Sequence, residues 1–271
     1  MKLEVSNFSG GGIKHCFDQW ELLTSDKFIL DTVKYGLKLE FLNMKPSKHS
    51  LHQTQFNKKE QDSVTDTINN LLKKNVIAET NLKDGFVSGV FTRPKKDGSY
   101  RFILNLKNFN EYIEYKHFKM ESVNNVLDLI RPGAFMASVD LKDAFYTVPI
   151  FKKHQKYLKF YVNDTMYMFI CMPNGYGPAM RAFTKLLKAP FAHLRENNHV
   201  SVIYVDDTWL QGFTYQECMD NILETINLLR SLGFTIHIDK SILIPTQEIT
   251  FLGFIFNTKN MTIMLTEEKK V

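Results

Sequence analysis

Two acidic sites far apart in the chain limit what it can fold into more than any other feature. An apolar run at residues 135–139 ends in Asp140, and short strand-like runs at 200–205 and 208–210 flank the pair Asp206-Asp207. A carboxylate at a strand end and a carboxylate pair at a hairpin turn can meet if their strands share a sheet. The pattern predicts that the three carboxylates converge. A solvated turn is the alternative for the Asp pair taken alone.

Converging carboxylates favour a two-metal centre. Joining a nucleotide to a 3′ hydroxyl requires one divalent ion to lower the pKa of that hydroxyl and another to hold the leaving phosphates. Carboxylate oxygens are the ligands that the hard ion Mg²⁺ prefers. The expected cofactor is therefore a pair of Mg²⁺ ions, with Mn²⁺ as the alternative.

Composition fits one globular unit with subdomains and permits a polyanionic partner. The chain has 271 residues, 44% of them hydrophobic, and Lys plus Arg exceed Asp plus Glu by 34 minus 29, giving +5. A mild positive excess permits nucleic acid as a partner without requiring it. Basic residues cluster, with aromatic residues between them, near residues 45–59, 93–101 and 152–159, and a solvated face explains any one cluster equally well.

Cysteine usage and hydropathy indicate the compartment. Cys16, Cys171 and Cys218 are isolated and odd in number, which predicts neither a zinc site nor a disulfide framework. No apolar run approaches the roughly 18 to 20 residues of a membrane span, and the first residues lack a secretory core. We expect an intracellular protein, of the cytoplasm or nucleus, that is neither secreted nor bound to a membrane.

Apolar periodicity predicts an α+β chain with helices on one face of a sheet. Predicted helices lie at residues 17–30, 59–76, 121–130, 142–148, 178–196 and 216–232. Predicted strands lie at residues 86–92, 100–104, 135–139, 157–162, 166–171, 200–205, 208–210, 234–238, 249–256 and 261–265. The pairs Asp97-Gly98 and Asn163-Asp164 predict hairpin turns.

Six blocks of the chain, in order, resemble the reverse transcriptases. They are residues 101–106, 140–145, 172–175, 204–207, 233–240 and 251–254, and the resemblance extends over roughly residues 60 to 265. The leader motif Gly11-Gly12-Ile13-Lys14 with Trp20, and the segment 181–188, resemble more narrowly the DIRS-type retroelements, which pair a reverse transcriptase with a tyrosine recombinase.

The resemblance implies a right-hand polymerase of α+β class, with fingers and an antiparallel palm that carries helices on one face. The implied parts are a leader at 1–58, fingers at 59–134 and 150–180, palm at 135–149 and 181–265, and at 266–271 the start of a thumb that is absent or truncated. Retroelement proteins also imply a longer polyprotein with thumb, RNase H and recombinase domains.

The resemblance also assigns roles at the acidic sites. Asp140 and Asp206 are expected to bind both metals, with Asp207 as an auxiliary ligand. Leu141 is expected to add a main-chain carbonyl to the metal site. Lys240 matches the lysine proposed to protonate the leaving pyrophosphate, and an exposed structural lysine is the alternative.

Residues after Asp140 are implied to contact the incoming deoxynucleoside triphosphate. The amides of Asp143 and Ala144, at a predicted helix start, are expected to face the triphosphate. Phe145 is expected to lie against the sugar and to exclude a ribose 2′ hydroxyl, so DNA precursors are the expected substrate. An ordinary core phenylalanine is the alternative.

Other triphosphate contacts are implied along the chain. Lys95 and Arg101, on the basic hairpin, match fingers residues that hold the phosphates, and a solvated hairpin tip is the alternative. Asn174 occupies a position that holds glutamine or phenylalanine in relatives, and Gly175 beside it lets backbone approach the nucleotide. The implied primer grip consists of Phe251, Leu252, Gly253 and Phe254.

Together these features predict an RNA-directed DNA polymerase that extends a primer on an RNA or DNA template. An RNA-directed RNA polymerase is one alternative, although that class usually has Gly where Val205 stands and a polar residue in place of Phe145. The other alternative is an inactive nucleic-acid-binding remnant of a retroelement.

Overall fold

The described residues of the computed structural model contain three sheets, which are distributed over two units. Residues 8–46, 54–95 and 98–269 are described. The first unit consists of Met1–Glu21, Ser25–His117 and Phe145–Ala182, and the second of Leu22–Thr24, Phe118–Ala144 and Phe183–Val271. The predicted turn residue Asp97, residues 1–7 and 47–53 of the predicted leader and residues 270–271 of the predicted thumb start lie outside the described residues.

Helices form where apolar stripes are combined with capping residues. They are α1 (Phe17–Leu23), α2 (Lys27–Tyr35), α3 (Lys58–Lys73), α4 (Lys107–Asn110), α5 (Val123–Leu129), α6 (Ala179–Glu196) and α7 (Tyr215–Ser231). The helix predicted at 17–30 is split because Asp26 accepts hydrogen bonds from the amides of Phe28 and Ile29 and so begins α2. The prediction of a helix at 142–148 is wrong, because only one short 3₁₀ turn, Ala144–Thr147, forms there.

Strands follow the predictions more closely before residue 234 than after it. They are β1 (Ile77–Glu79), β2 (Val87–Pro94), β3 (Tyr100–Asn105), β4 (Phe135–Asp140), β5 (Lys159–Val162), β6 (Thr165–Phe169), β7 (Val200–Tyr204), β8 (Asp207–Gly212), β9 (Ile242–Thr246), β10 (Glu248–Phe251), β11 (Phe254–Asn257) and β12 (Thr262–Leu265). The strand predicted at 234–238 is wrong, because Ile236 forms only an isolated bridge with Leu141. The strand predicted at 249–256 is divided by a turn at Leu252 and Gly253, where φ is 50° and 77°.

The first unit contains one five-stranded sheet in the order β1-β6-β5-β2-β3. The predicted hairpins β2–β3 and β5–β6 are both formed, and β2 pairs with β5 in parallel. The turn between β5 and β6 has φ of 49° and 58° at Asn163 and Asp164, conformations that Asn and Asp tolerate well.

The second unit contains a four-stranded antiparallel sheet, β7-β8-β4-β9, and a three-stranded sheet, β10-β11-β12. Helix α7 packs against β8, β4 and β9. The two sheets and α5 share one apolar core. Its buried members are Val126, Ile130, Met136, Val202, Trp209, Ile249, Phe251 and Phe256. This core fixes β4, β7 and β8, whose ends carry the acidic residues. In the described part of the chain no helix is long and apolar enough to cross a membrane.

Candidate active site

Asp140 ends β4 at a point where its own peptide groups are held on both sides. Its N–H donates to Ser241 Oγ at 3.0 Å. Its carbonyl accepts from the His237 N–H at 2.8 Å, and Ser241 Oγ donates in turn to the His237 carbonyl at 2.8 Å. These bonds fix the direction in which the Asp140 side chain leaves the strand. No sequence motif pointed to His237 or Ser241 as a partner of Asp140.

The turn between β7 and β8 carries the acidic pair in a tight and strained conformation. Tyr204 and Asp207 are paired across the hairpin, so Val205 and Asp206 form a two-residue turn. Val205 has φ of 57°, which is unfavourable for a β-branched residue and persists only where neighbouring structure enforces it. One such restraint is the Asp206 carbonyl, which accepts from the Leu141 N–H at 2.9 Å.

Strand register brings two of the predicted carboxylates into contact. Asp140 and Asp207 are directly opposite each other in the antiparallel pair of β4 and β8. Their side chains are hydrogen-bonded to each other, which requires one of the two carboxyl groups to hold a proton. The charge of Asp206 acts on both groups. The predicted meeting of strand end and hairpin turn is therefore present in the fold.

Burial dominates the electrostatics of this corner, and the crowding of like charges adds to its effect on Asp207. Burial, and after it the negative charges of Asp206 and Asp140, raise the pKa of Asp207 to about 6. Burial also raises the pKa of Asp140, against the opposing positive charge of Lys240. The hydrogen bond between the two carboxyl groups raises the pKa of Asp207 and lowers that of Asp140. Asp207 is therefore the member of the pair that holds a proton below about pH 6.

The donor set suits a hard divalent cation. Carboxylate and carbonyl oxygens are the ligands of Mg²⁺, and softer nitrogen or sulfur ligands would favour other metals. Within residues 8–46, 54–95 and 98–269, no three His, Cys, Asp or Glu side chains are already arranged as ligands around one point. Asp140 and Asp207 lie opposite each other in the sheet, and two carboxyl groups placed in this way offer oxygens of the kind that a hard cation prefers.

Lys240 lies close enough for its charge to act on both members of the carboxyl pair. It is the last residue of a 3₁₀ turn, Ile238–Lys240, and its side chain is exposed. Its positive charge lowers the pKa of Asp140 and of Asp207. The position fits the predicted role of a proton donor and fits equally the simpler role of charge balance.

The chain after Asp140 changes direction sharply. Asp143 has φ of 51°, and the buried Ala144 begins the 3₁₀ turn Ala144–Thr147. Phe145, in the first unit, is half-buried, so it is neither a fully enclosed core residue nor fully exposed. The next residue, Tyr146, accepts a hydrogen bond at its hydroxyl from Asn174 Nδ2 at 3.3 Å.

Four other residues that are predicted to contact the triphosphate also lie in the first unit, and all four are exposed. They are Lys95, Arg101, Asn174 and Gly175. Gly175 has φ of 90° and its carbonyl accepts from Asn110 Nδ2 at 2.9 Å. Arg101 is exposed on β3, directly opposite Arg93 of β2. Lys95 is exposed just after β2, and its N–H donates to the Ser99 carbonyl at 2.7 Å.

The predicted primer grip forms the β10–β11 hairpin of the second unit. Phe251 is buried in the core and Phe254 is half-buried. Lys269 Nζ lies 4.4 Å from the centre of the Phe254 ring and donates to the Leu252 carbonyl at 2.7 Å. At Gly253, a Cβ would stand 2.7 Å from Lys269 side-chain carbons. The glycine therefore permits both the turn and this close approach.

Comparison with known proteins identifies one family. The model of the family described as "Reverse transcriptase (RNA-dependent DNA polymerase)" matches residues 93–256, which is more than half of the chain. The Pro-Pol polyprotein of Simian foamy virus type 1 is 25% identical over 202 residues, covering 74% of this chain and 17% of that protein. The Transposon Tf2-3 polyprotein of Schizosaccharomyces pombe is 23% identical over 200 residues, covering 74% and 15%. The chain thus spans less than a fifth of the length of these relatives.

Solved structures share the fold. The native protease-reverse transcriptase of prototype foamy virus superposes with a TM-score of 0.68 at 21% identity, over 84% of this chain and 30% of that one. A foamy viral protease-reverse transcriptase in complex with an RNA/DNA hybrid gives a TM-score of 0.70 at 20% identity, over 100% and 38%. At this identity the likeness concerns the fold alone.

Proposed function

This chain belongs to the reverse transcriptase (RNA-dependent DNA polymerase) family, and from that membership we propose that it extends a primer 3′ hydroxyl with deoxynucleoside triphosphates on an RNA or DNA template. The observation that carries the proposal is the corner where Asp140, at the end of β4, faces Asp207, with the charge of Asp206 acting on both. Such a set of carboxylates, crowded and partly protonated without a cation, is suited to divalent ions.

The proposed mechanism uses two metal ions. When bound, two Mg²⁺ ions, or Mn²⁺ in their place, would lower the pKa of the primer hydroxyl and neutralise the leaving phosphates. Asp140 and Asp206 would hold both ions, Asp207 would be an auxiliary ligand, and Leu141 would add its carbonyl. Lys240, whose charge already acts on this corner, would give a proton to the pyrophosphate. Catalysis is then mainly positioning and charge neutralisation.

Substrate binding is proposed to use the residues that the family resemblance implies. Lys95 and Arg101 would hold the triphosphate through charge-assisted hydrogen bonds, helped by the amides of Asp143 and Ala144. Asn174 and Gly175 would border the nucleotide. The half-buried ring of Phe145 would exclude ribonucleotides, and residues 251–254 would hold the primer end.

We further propose that the first unit corresponds to the leader and fingers and the second to the palm. Residues 118–134, predicted as fingers, lie in the second unit. The polyprotein relatives support a longer protein, for which we propose thumb, RNase H and recombinase domains, and the leader motif supports a DIRS-type element. Three free thiols support a reducing intracellular setting, in the cytoplasm or nucleus.

Primer extension on RNA and DNA templates with Mg²⁺, using either deoxyribonucleotides or ribonucleotides, tests the proposal. Asp206→Asn should abolish synthesis, because it removes a ligand of both ions, whereas Asp128→Asn, an equal charge change at an exposed position of α5, should not. Phe145→Val should gain ribonucleotide use, and the exposed Phe213→Val should not.

A parent chain that binds primer-template but never extends it would contradict the proposal and favour the inactive remnant. Equal use of ribonucleotides by the parent would favour an RNA polymerase instead. Binding of the template should weaken with added salt in every case, because the contacts are mainly to phosphates.

A further inference from the structure

Strand β7 leads directly into the strained acidic turn, and it is the end strand of its sheet. The order β7-β8-β4-β9 gives it one strand neighbour, β8. In an antiparallel pair, alternate residues direct their peptide groups toward the partner strand and away from it. Tyr204 pairs with Asp207 at the closed end of the hairpin. Ser201 and Ile203, of the opposite alternation, direct their peptide groups outward.

Two charged side chains satisfy these outward groups. Glu121 Oε2 accepts from the Ile203 N–H at 2.7 Å. Arg195, in the last turn of α6, donates from Nη2 to the Ser201 carbonyl at 3.1 Å and from Nε to Ser201 Oγ at 3.2 Å. The same Nη2 donates to Glu121 Oε2 at 2.8 Å. Glu121, Arg195 and strand β7 all belong to the second unit. We refer to Glu121 and Arg195 as the edge clamp.

The edge clamp resembles the pairing that a further strand would give. Glu121 supplies the acceptor for the outward N–H of Ile203, and Arg195 supplies the donor for the outward carbonyl of Ser201. The two opposite charges also neutralise each other. An exposed ion pair by itself contributes little to stability. Here, however, the carboxylate is 30% exposed and also bonds the main chain, so its loss leaves the Ile203 N–H without its observed acceptor.

The contact between Glu121 and the Ile203 N–H is significant because it lies close to the acidic turn. Ile203 lies three residues before Asp206, and between them Val205 adopts a φ of 57° that surrounding structure must enforce. Inside the hairpin, the enforcement comes from β8 and from the bond of Leu141 to the Asp206 carbonyl. On the outer side of β7, it comes from the edge clamp.

We propose that Glu121 is a positioning residue, which acts through the Ile203 amide and with Arg195 to hold the Asp206 carboxylate in the geometry that divalent cations need. This inference rests on the proposed function and adds a residue that lies in none of the motifs of the acidic sites. Groups that orient metal ligands from behind typically change metal affinity about 10- to 100-fold when they are removed.

Metal binding by the whole chain, measured without any turnover, provides the test. Mn²⁺ affinity, from electron paramagnetic resonance of the free ion, should fall about tenfold in Glu121→Ala and in Arg195→Ala. Glu121→Gln keeps an acceptor for the Ile203 amide and should recover most of that loss. Glu196→Gln, the exposed residue after Arg195 on α6, should match the parent.

Hydrogen exchange separates this role from general destabilisation. In Glu121→Ala, amides of residues 200–207 should exchange faster, whereas those of β10 and β11 should not. The positioning role is overturned if both alanine variants bind Mn²⁺ within about twofold of the parent, or if exchange accelerates equally in all strands. A parent that binds no Mn²⁺, or an Asp206→Asn variant that binds it as well as the parent, overturns the proposed metal centre itself and this role with it.

Discussion

The two units bury titratable groups in opposite ways. In the first unit, burial lowers the pKa of His154 to about 4, and its neutral ring accepts the Leu39 N–H at Nδ1, 3.0 Å away. In the second unit, burial and like charges raise the pKa of Asp207 to about 6. The histidine is neutral and satisfied by its surroundings, whereas Asp207 keeps its proton up to about pH 6 because burial and the neighbouring charges disfavour its ionised form.

The difference separates a structural group from a functional one. The rings of Phe41, Phe151 and Tyr157 make edge contacts with His154, so its site is complete without any ligand. Asp140 and Asp207 face each other and Asp206, and the nearby cation Lys240 is exposed to solvent. Titratable groups held in unfavourable surroundings are typical of sites that bind a partner of opposite charge. The comparison therefore supports the acidic corner as the place where cations act.

Replacing Asp140 by asparagine gives the largest expected effect. Polymerase activity should fall about 10³-fold, because the variant loses a charged ligand for both proposed ions. The melting temperature should stay constant or rise, since one of two crowded carboxyl groups is gone. Primer extension and thermal denaturation of the same preparation measure both. A large drop in melting temperature, or retained activity, would break the distinction between the two kinds of burial.

Replacing Arg101 by alanine should have a smaller and graded effect, because the first unit is proposed to contribute exposed cations rather than buried ligands. We expect the KM for deoxynucleoside triphosphates to rise about tenfold, as one charge-assisted contact is lost. Arg93→Ala, directly across the hairpin, is the matched control and should leave KM within about twofold. Steady-state kinetics of the parent and both variants measures these KM values. Equal effects of the two variants would indicate only general attraction of the basic hairpin for anions.

Sequence periodicity predicted the long elements and the α+β fold class, which is confirmed by the foamy virus structures. Helices α3 and α7 combine an apolar stripe with a capping box, Asn57 with Glu60 and Thr214 with Glu217, so local signals agree with the fold. Strand β1, with three residues, and β9, which pairs irregularly with β4, were missed because their pairing is decided by distant partners.

Strand ends predicted where the acidic residues lie, and the register of β4 with β8 places Asp140 opposite Asp207. The groups that hold them could not be predicted in the same way. Ser241 is 101 residues from Asp140 in the chain and follows a 3₁₀ turn with no distinctive motif. Glu121 is 82 residues from Ile203 and resembles any helix-flanking glutamate. Contacts between such distant residues depend on the assembled sheet and have no local signature.

The pH dependence of stability should differ between parent and Asp207→Asn. The ordinary pKa of this group is 3.8 and its folded value is about 6, so the folded chain binds the proton more tightly than the unfolded chain. The resulting stabilisation is complete below about pH 4 and is lost as pH rises through about 6. With metal removed by chelator, the parent should lose a few degrees of melting temperature relative to Asp207→Asn between pH 4.5 and pH 7.5.

Added Mg²⁺ should reverse that loss at pH 7.5, because the cation offsets the repulsion between the ionised carboxyl groups. Asp220→Asn, at an exposed position of α7, is the control and should follow the parent at every pH. If parent and Asp207→Asn had parallel profiles, the carboxyl pair would not be crowded in solution.

The smallest expected effect concerns His154 and has the opposite sign. Its pKa is lowered from 6.5 in ordinary surroundings to about 4, so the unfolded chain binds the proton more tightly than the folded chain. The stabilisation is complete above about pH 6.5 and is lost as pH falls toward 4. In His154→Asn, whose side-chain oxygen can still accept the Leu39 N–H, the melting temperature should be lower throughout, but its decrease between pH 6.5 and pH 4.5 should be smaller by a degree or two.

His117→Asn, at an exposed position of the same unit, should keep the parent's slope. A His154→Asn profile as steep as the parent's would mean that the ring already accepts a proton in the folded state. Of the two groups compared, only Asp207 would then have a pKa shifted by its surroundings.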